Sequence, residues 1–409
     1  MQEISKYTLL YILDKMKKQT QAIHLEYERR DAYDSLSVPV YNTLAYEFDN
    51  AAIMSEAFTD KIKAPDYSRV ENPTVTNLER RVAALTDAAH ATAFNSGMAA
   101  ISNTLMSLAA QGKNIVTSKH LFGNTYALLV ATLRRFGVKV RLRDLTNIEA
   151  VREAIDDDTC CVFLEILTNP QLEVADLKAI SEVAHEKNVP LVVDSTVIPF
   201  TQFSAKSLGV DIEVVSSSKY VSGGATSLGG LVIDYGTPFN GDFAKRLYGE
   251  MLFNFGAYMT PQVAYMQTIG LETLDARYRV QSSNALELAK KLRTLPQIQY
   301  VNYVGLEDNP YHELAQRQFG KTAGAMICID LESKEACFNF LNNLKLIHRA
   351  TNLFDNRSLA IHPASTIFGA FSENMRRSMD VKDTTIRLSV GLEDVDDLFE
   401  DIKQAVESL

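Results

Sequence analysis

Ser216-Ser217-Ser218-Lys219 follows the short apolar run Glu213-Val214-Val215 and precedes a glycine-rich segment, Ser222-Gly223-Gly224-Ala225-Thr226-Ser227-Leu228-Gly229-Gly230. The apolar run reads as a strand, so the lysine stands where a strand ends, with small hydroxyls before it and flexible backbone after it. A lysine in that place can form an imine with an aldehyde while the hydroxyls take a phosphate. Serines beside a lysine also suit a solvated loop. The decision rests on what the neighbouring segments supply.

Outward from this point, apolar β-rich runs alternate with helical ones from residue 91 to about 234. Strands are predicted at Thr92-Ala93-Phe94, Asn114-Ile115-Val116-Thr117, Lys139-Val140-Arg141-Leu142, Cys160-Cys161-Val162-Phe163-Leu164, Pro190-Leu191-Val192-Val193, Glu213-Val214-Val215 and Gly230-Leu231-Val232-Ile233. Apolar residues at helical spacing mark Asn124 to Phe136 and Ala175 to Lys187 between them. Such alternation predicts an α/β fold with a large, mostly parallel seven-stranded sheet covered by helices. In sheets of this kind ligands lie beyond the carboxyl ends of the strands.

The residues just past those ends form a set. Asn95-Ser96-Gly97-Met98-Ala99-Ala100 is a small-residue turn into a helix whose free N–H groups would hold a phosphate. His120-Leu121-Phe122 puts an aromatic ring where a flat cofactor would stack, and Thr168-Asn169-Pro170 follows the fourth strand. Asp194-Ser195-Thr196 follows the fifth, and a carboxylate beneath a pyridine nitrogen would keep it protonated and make the ring an electron sink. With Lys219 for the aldehyde, the set describes a pyridoxal phosphate (PLP) site. Singly, Asp194 reads as a helix cap, Phe122 as core and Gly97 as a turn residue. Their joint appearance at successive strand ends carries the reading.

Before the sheet, Tyr67-Ser68-Arg69-Val70-Glu71-Asn72-Pro73-Thr74 leads into a helical pattern through Leu78, Val82 and Leu85. Asn72 fits an N-cap with proline at the first helical position. Tyr67 and Arg69 are then expected on one face of an extended segment, gripping a phosphate or forming an ordinary surface contact. Residues 1–65 show no compact unit and are expected to be an N-terminal arm, with a PLP-binding large domain over 66–255 and a C-terminal domain over 256–409. In that last part a helical stretch covers roughly 261–295. Strands are predicted at 299–303, 325–330 and 385–390, and helices near 333–344 and 395–408. Arg387 lies mid-strand among apolar residues, and a buried arginine needs an anion, either a substrate carboxylate or a protein one.

With 409 residues, 46% of them hydrophobic, the chain can bury a large core. A net charge of −10 argues against nucleic acid as the main partner. Cys160, Cys161, Cys328 and Cys337 show no C-x-x-C pair, so no zinc site or disulfide framework is expected and they read as buried thiols. The apolar run Tyr7 to Leu13 meets Asp14 and Lys15 at once, and no run approaches the ~20 apolar residues of a membrane span. A cytoplasmic location is expected.

Six segments together, YSRVENPT at 67–74, NSGMAAI at 95–101, VVDST at 192–196, SSSKYVSGG at 216–224, IHPAST at 361–366 and IRLSVGLED at 386–394, resemble the Cys/Met-metabolism family of PLP enzymes. The likeness runs from about residue 20 to the C-terminus. It implies the fold-type I architecture of PLP-dependent transferases and a homotetramer of paired catalytic dimers. It also implies that Tyr67 and Arg69 reach the PLP phosphate of a neighbouring subunit, while Gly97, Met98, Ser216 and Ser218 hold the phosphate within the same subunit. Asp194, with Thr196 beside it, would meet the pyridine nitrogen and Lys219 the aldehyde. Arg387, helped by Asn169 and Asn352, would bind the substrate carboxylate.

Asn352-Leu353-Phe354-Asp355-Asn356-Arg357-Ser358-Leu359 before IHPAST is similar to the segment of O-acetylhomoserine sulfhydrylases. Asn124 stands where methionine γ-lyases usually carry cysteine. The resemblance therefore implies γ-replacement on O-acetyl-L-homoserine by sulfide or a thiol, with a γ-lyase releasing ammonia and 2-oxobutyrate as the alternative. Two positions depart from the family. Phe122 replaces a tyrosine, keeping the stacking surface but losing a phenol that assists proton transfer, which favours a leaving group as good as acetate. Ser195 replaces a common asparagine.

Overall fold

The computed structural model of the chain describes residues 16–25, 31–59, 61–321 and 323–409. The apolar run ending at Leu13 lies outside them, as does part of the expected arm. Among the described residues no helix is long and apolar enough to cross a membrane.

Seven strands form the larger sheet: β1 (His90–Phe94), β2 (Asn114–Thr117), β3 (Lys139–Leu142), β4 (Thr159–Glu165), β5 (Leu191–Asp194), β6 (Ile212–Val215) and β7 (Gly230–Asp234). Their order is β1-β7-β6-β5-β4-β2-β3. The five strands from β6 to β3 run parallel, whereas β7 is antiparallel to both β6 and β1. All seven lie within a residue or two of their predicted places. The chain turns back between β6 and β7, and Lys219 lies in that return.

Alternation along the strands sorts the core. Val116, Val162, Leu164, Leu191 and Val193 belong to one buried cluster, which includes Leu177 and Ile180 of the helix Leu177–Glu186. Ile115, Cys161, Phe163, Val192 and Val214 belong to another, with Ile101 and Leu105 of the helix Gly97–Leu108. Successive side chains on a strand point to opposite faces, so buried strands read as continuous apolar runs. Cys160 is only half-buried, unlike the other three cysteines.

Side-chain caps fix the starts of two helices. Asn72 accepts the N–H of Thr74 ahead of Pro73, as expected, and Ser96 accepts the N–H of Ala99 at the start of Gly97–Leu108. A Cβ on Gly97 would lie 2.6 Å from the Ser216 Cβ, and one on Gly230 would lie 2.1 Å from the Ser96 carbonyl oxygen. Glycine at both positions lets the helix start sit directly against the ends of β6 and β7.

A second sheet has the order β10-β11-β12-β9-β8, from β8 (Tyr300–Asn302), β9 (Met326–Asp330), β10 (His348–Arg349), β11 (Leu359–Ile361) and β12 (Thr385–Ser389). β8 lies inside the strand predicted at 299–303, whereas β10 and β11, of two and three residues, have no predicted counterpart. The stretch expected as helix over 261–295 is two helices, Pro261–Glu272 and Leu274–Leu292, parted at Thr273. Tyr67 to Glu71 is a turn rather than an extended segment. The N–H groups of Val70 and Glu71 both bond the Tyr67 carbonyl, and the turn brings Arg69 back over the Tyr67 ring, 5.5 Å from its centroid.

Candidate active site

A cavity of about 700 Å³ opens at the carboxyl ends of β4, β5 and β6, closed on one side by residues 351–353 and Arg387 of the smaller sheet region. The structure brings Gly97, Met98, Phe122, Asn169, Asp194, Thr196, Ser216, Ser218, Lys219, Asn352 and Arg387 together on its wall. Tyr67 and Arg69 do not line it. Tyr67 is exposed at the surface, and Arg69 donates to the Phe253 carbonyl oxygen at 2.6 Å. Asn124 is exposed and lies off the cavity, while His362 of the IHPAST segment is buried and bonded to Ser365 and the Asp383 carbonyl.

Lys219 donates from Nζ to Asn352 Oδ1 at 2.8 Å. Burial, with the nearby Arg387 cation adding to it, pushes its pKa down to about 8. A substantial share of the amine is then neutral near neutral pH, the form that attacks a carbonyl or takes a proton. Asp194 ends β5 with its Oδ1 accepting the Thr196 N–H at 2.9 Å. Burial pushes its carboxyl above the usual range and Thr196 partly restores it. The Thr196 hydroxyl accepts the Ser216 N–H at 2.8 Å, tying the segment after β5 to the one after β6. Ser218, expected at the phosphate, lines the cavity, and its hydroxyl donates to the Gly229 carbonyl at 3.1 Å and accepts the Gly229 N–H at 2.9 Å.

Arg387 is buried on the cavity wall. Its Nη1 donates to Asn169 Oδ1 at 3.2 Å and its Nη2 to the Asn352 carbonyl at 3.3 Å, while its buried Nε has no partner among the described residues. No carboxylate of the described residues pairs with it. Burial pushes its pKa down to about 10, and a guanidinium so placed is ready for an anion from outside. Sequence reasoning passed over Glu165, Thr351, Leu353 and Ile367, which also line the cavity. Glu165 stood one place beyond a predicted strand end, and the other three lie in segments without periodic pattern.

These residues suit PLP on structural grounds. The N-terminus of Gly97–Leu108 faces Ser216 across the space that Gly97 leaves open, offering N–H groups to a phosphate. A carboxylate, an aromatic ring and a lysine complete the wall. Residues 19–407 match the family described as Cys/Met metabolism PLP-dependent enzyme. The chain belongs to that family. It is 38% identical over 394 residues to an L-methionine gamma-lyase of Fusobacterium nucleatum, covering 95% of this chain and 98% of the lyase. It is 31% identical over 417 residues to the O-acetyl-L-homoserine sulfhydrylase of Corynebacterium glutamicum, covering 94% and 95%. A crystal structure from Campylobacter jejuni, of a protein assigned as an O-acetylhomoserine (thiol)-lyase and holding a pyridoxyl-lysine phosphate, superposes with a TM-score of 0.92 at 34% identity. It covers 96% of this chain and 100% of its own. The protein is therefore a PLP-dependent enzyme of sulfur amino-acid metabolism, in a family whose members carry out elimination or replacement at the γ-carbon.

Proposed function

We propose that the enzyme replaces the γ-substituent of O-acetyl-L-homoserine by sulfide or a thiol, giving homocysteine or methionine. The observation that carries this is the charge of the cavity wall. Among the described residues of one subunit its cations are Lys219 and Arg387 alone, both with duties at the α-carbon end of an amino acid, and an Arg69 reaching in from a neighbouring subunit would serve the PLP phosphate. Phe122, Val197, Leu228, Leu353 and Ile367 give the wall much of its apolar surface, and Thr226, Ser227, Thr351 and Thr366 add polar groups that carry no charge. A neutral acetyl group suits such a wall, whereas a succinyl carboxylate or the second amino-acid end of cystathionine would be buried without a partner.

PLP, when bound, supplies an electron-withdrawing ring that stabilises negative charge at the substrate α-carbon. The chain supplies the rest. Arg387, with Asn169 and Asn352, binds the α-carboxylate and so places Cα near Lys219 Nζ. Lys219 takes the Cα proton and then carries protons to and from Cβ. Asp194 keeps the pyridine nitrogen protonated. Acetate leaves Cγ with the electron pair of the C–O bond, and the thiolate takes its place. Phe122 lends no proton, and acetate needs none. Tyr67 and Arg69, turned away from this cavity, complete the phosphate site of a neighbouring subunit.

Comparison of kcat/KM for O-acetyl- and O-succinyl-L-homoserine tests the reading. The acetyl ester is expected to be preferred by at least about tenfold, the scale of burying an unpaired charge after partial compensation. Equal use of the two, or preference for succinyl, contradicts it. The second reading, a γ-lyase, is favoured by the greater identity to the Fusobacterium lyase.

A further inference from the structure

Glu165 ends β4 one strand over from Asp194, and the parallel register pairs the two residues directly. Both side chains therefore leave the sheet on the same face. Glu165 is 7% exposed and lines the cavity beside Phe122, Asn169 and Asp194. A second buried carboxyl next to the first is costly to hold, and the packing of a strand end does not require one.

Its hydrogen bonds show what it holds. Oε1 accepts the backbone N–H of Phe122 at 2.5 Å, and the backbone of Asn169 also reaches the carboxyl. One side chain thus grips the connection after β2, which carries the aromatic ring, and the connection after β4, which carries the Asn169 that bonds Arg387. We propose that Glu165 is a positioning residue, setting the Phe122 ring and the Asn169–Arg387 pair at a fixed separation across the cavity. Burial, with Asp194 adding to it, pushes its pKa up to about 8. A glutamine reproduces its shape and its accepting oxygen.

The inference rests on PLP and on Arg387 as the carboxylate site, but not on the acyl group. Glu165→Gln, Glu165→Asp and Glu165→Ala are to be compared in three ways: the induced circular dichroism of bound PLP, the PLP dissociation constant, and kcat and KM with both O-acetyl-L-homoserine and L-methionine. The alanine variant is expected to lose most of the induced signal and to lower kcat/KM by about 10²-fold, mainly through KM, as a displacement of about 1 Å does. Aspartate, which keeps the carboxyl but falls short, should move the same readings the same way even if alanine fails to fold. Glutamine should stay within about twofold of the parent, because it keeps the accepting oxygen. Thermal destabilisation of the aspartate and alanine variants with unchanged dichroism and KM overturns the proposal, and so does a glutamine variant that behaves like alanine. Dichroism and PLP affinity decide the matter even if neither substrate is turned over.

Discussion

Phe122 is the residue at which reaction choice is most open to experiment. Its ring lines the cavity, and its backbone is held by Glu165. Restoring the phenol by Phe122→Tyr is expected to raise kcat/KM for L-methionine by ~10²-fold, the low end of general-acid assistance, while changing O-acetylhomoserine turnover only a few-fold. Parallel gains on both substrates would show that the hydroxyl does not act on the leaving group. Ser195, the other departure, donates its hydroxyl to buried Glu213, which also accepts from Tyr235 at 2.6 Å. Tyr235→Phe removes one of these donors and is expected to lower unfolding free energy by ~1–3 kcal/mol in urea titration. No change would mean that the carboxyl finds another partner. Lys219, Asp194 and Gly97 were legible because each follows a predicted strand. Glu165 also follows a predicted strand directly but was not legible, because a glutamate there suggests no contact until its register with Asp194 is seen.

At the scale of elements, the helix Gly97–Leu108 and strand β7 meet where Gly230 leaves no room for a side chain. Gly230→Ala would press its methyl group on the Ser96 carbonyl. It is expected to cost ~1–3 kcal/mol of stability and to weaken PLP binding as the helix start shifts, both readable from urea unfolding and cofactor titration. Full stability with unchanged PLP affinity would show that the contact relaxes freely. His120 joins three connections: its Nδ1 meets Glu173 at 2.5 Å and its Nε2 meets Asp380 at 2.7 Å, with Lys119 also on Asp380. Burial opposes the imidazolium, but the two carboxylates outweigh it and leave its pKa raised. A raised folded pKa stabilises fully below the unfolded value near ~6.5 and loses that contribution as pH rises through the folded value. His120→Gln should therefore lower Tm more at acidic than at alkaline pH, and a gap that is constant or grows with pH contradicts the assignment. The seven strands were legible from their apolar runs. The turn at Tyr67 was not, because its hydrogen bonds rather than any side-chain period decide it.

Across the whole molecule, the cavity exists because two sheets meet. The larger one delivers Asp194 and Lys219, and β12 of the smaller one delivers Arg387. The sequence showed Arg387 as a cation in an apolar strand and left its partner open. Among the described residues the fold pairs no protein carboxylate with it, which is what supports its proposed role as the group that receives a substrate carboxylate. The reaction at the γ-carbon was less legible, since apolar wall residues such as Leu353 and Ile367 carry no motif. Products measured from O-acetyl-L-homoserine with and without sulfide decide between replacement and elimination. Homocysteine is expected to predominate when sulfide is present, with little ammonia or 2-oxobutyrate in its absence. 2-Oxobutyrate predominating under both conditions would mean that the enzyme eliminates rather than replaces.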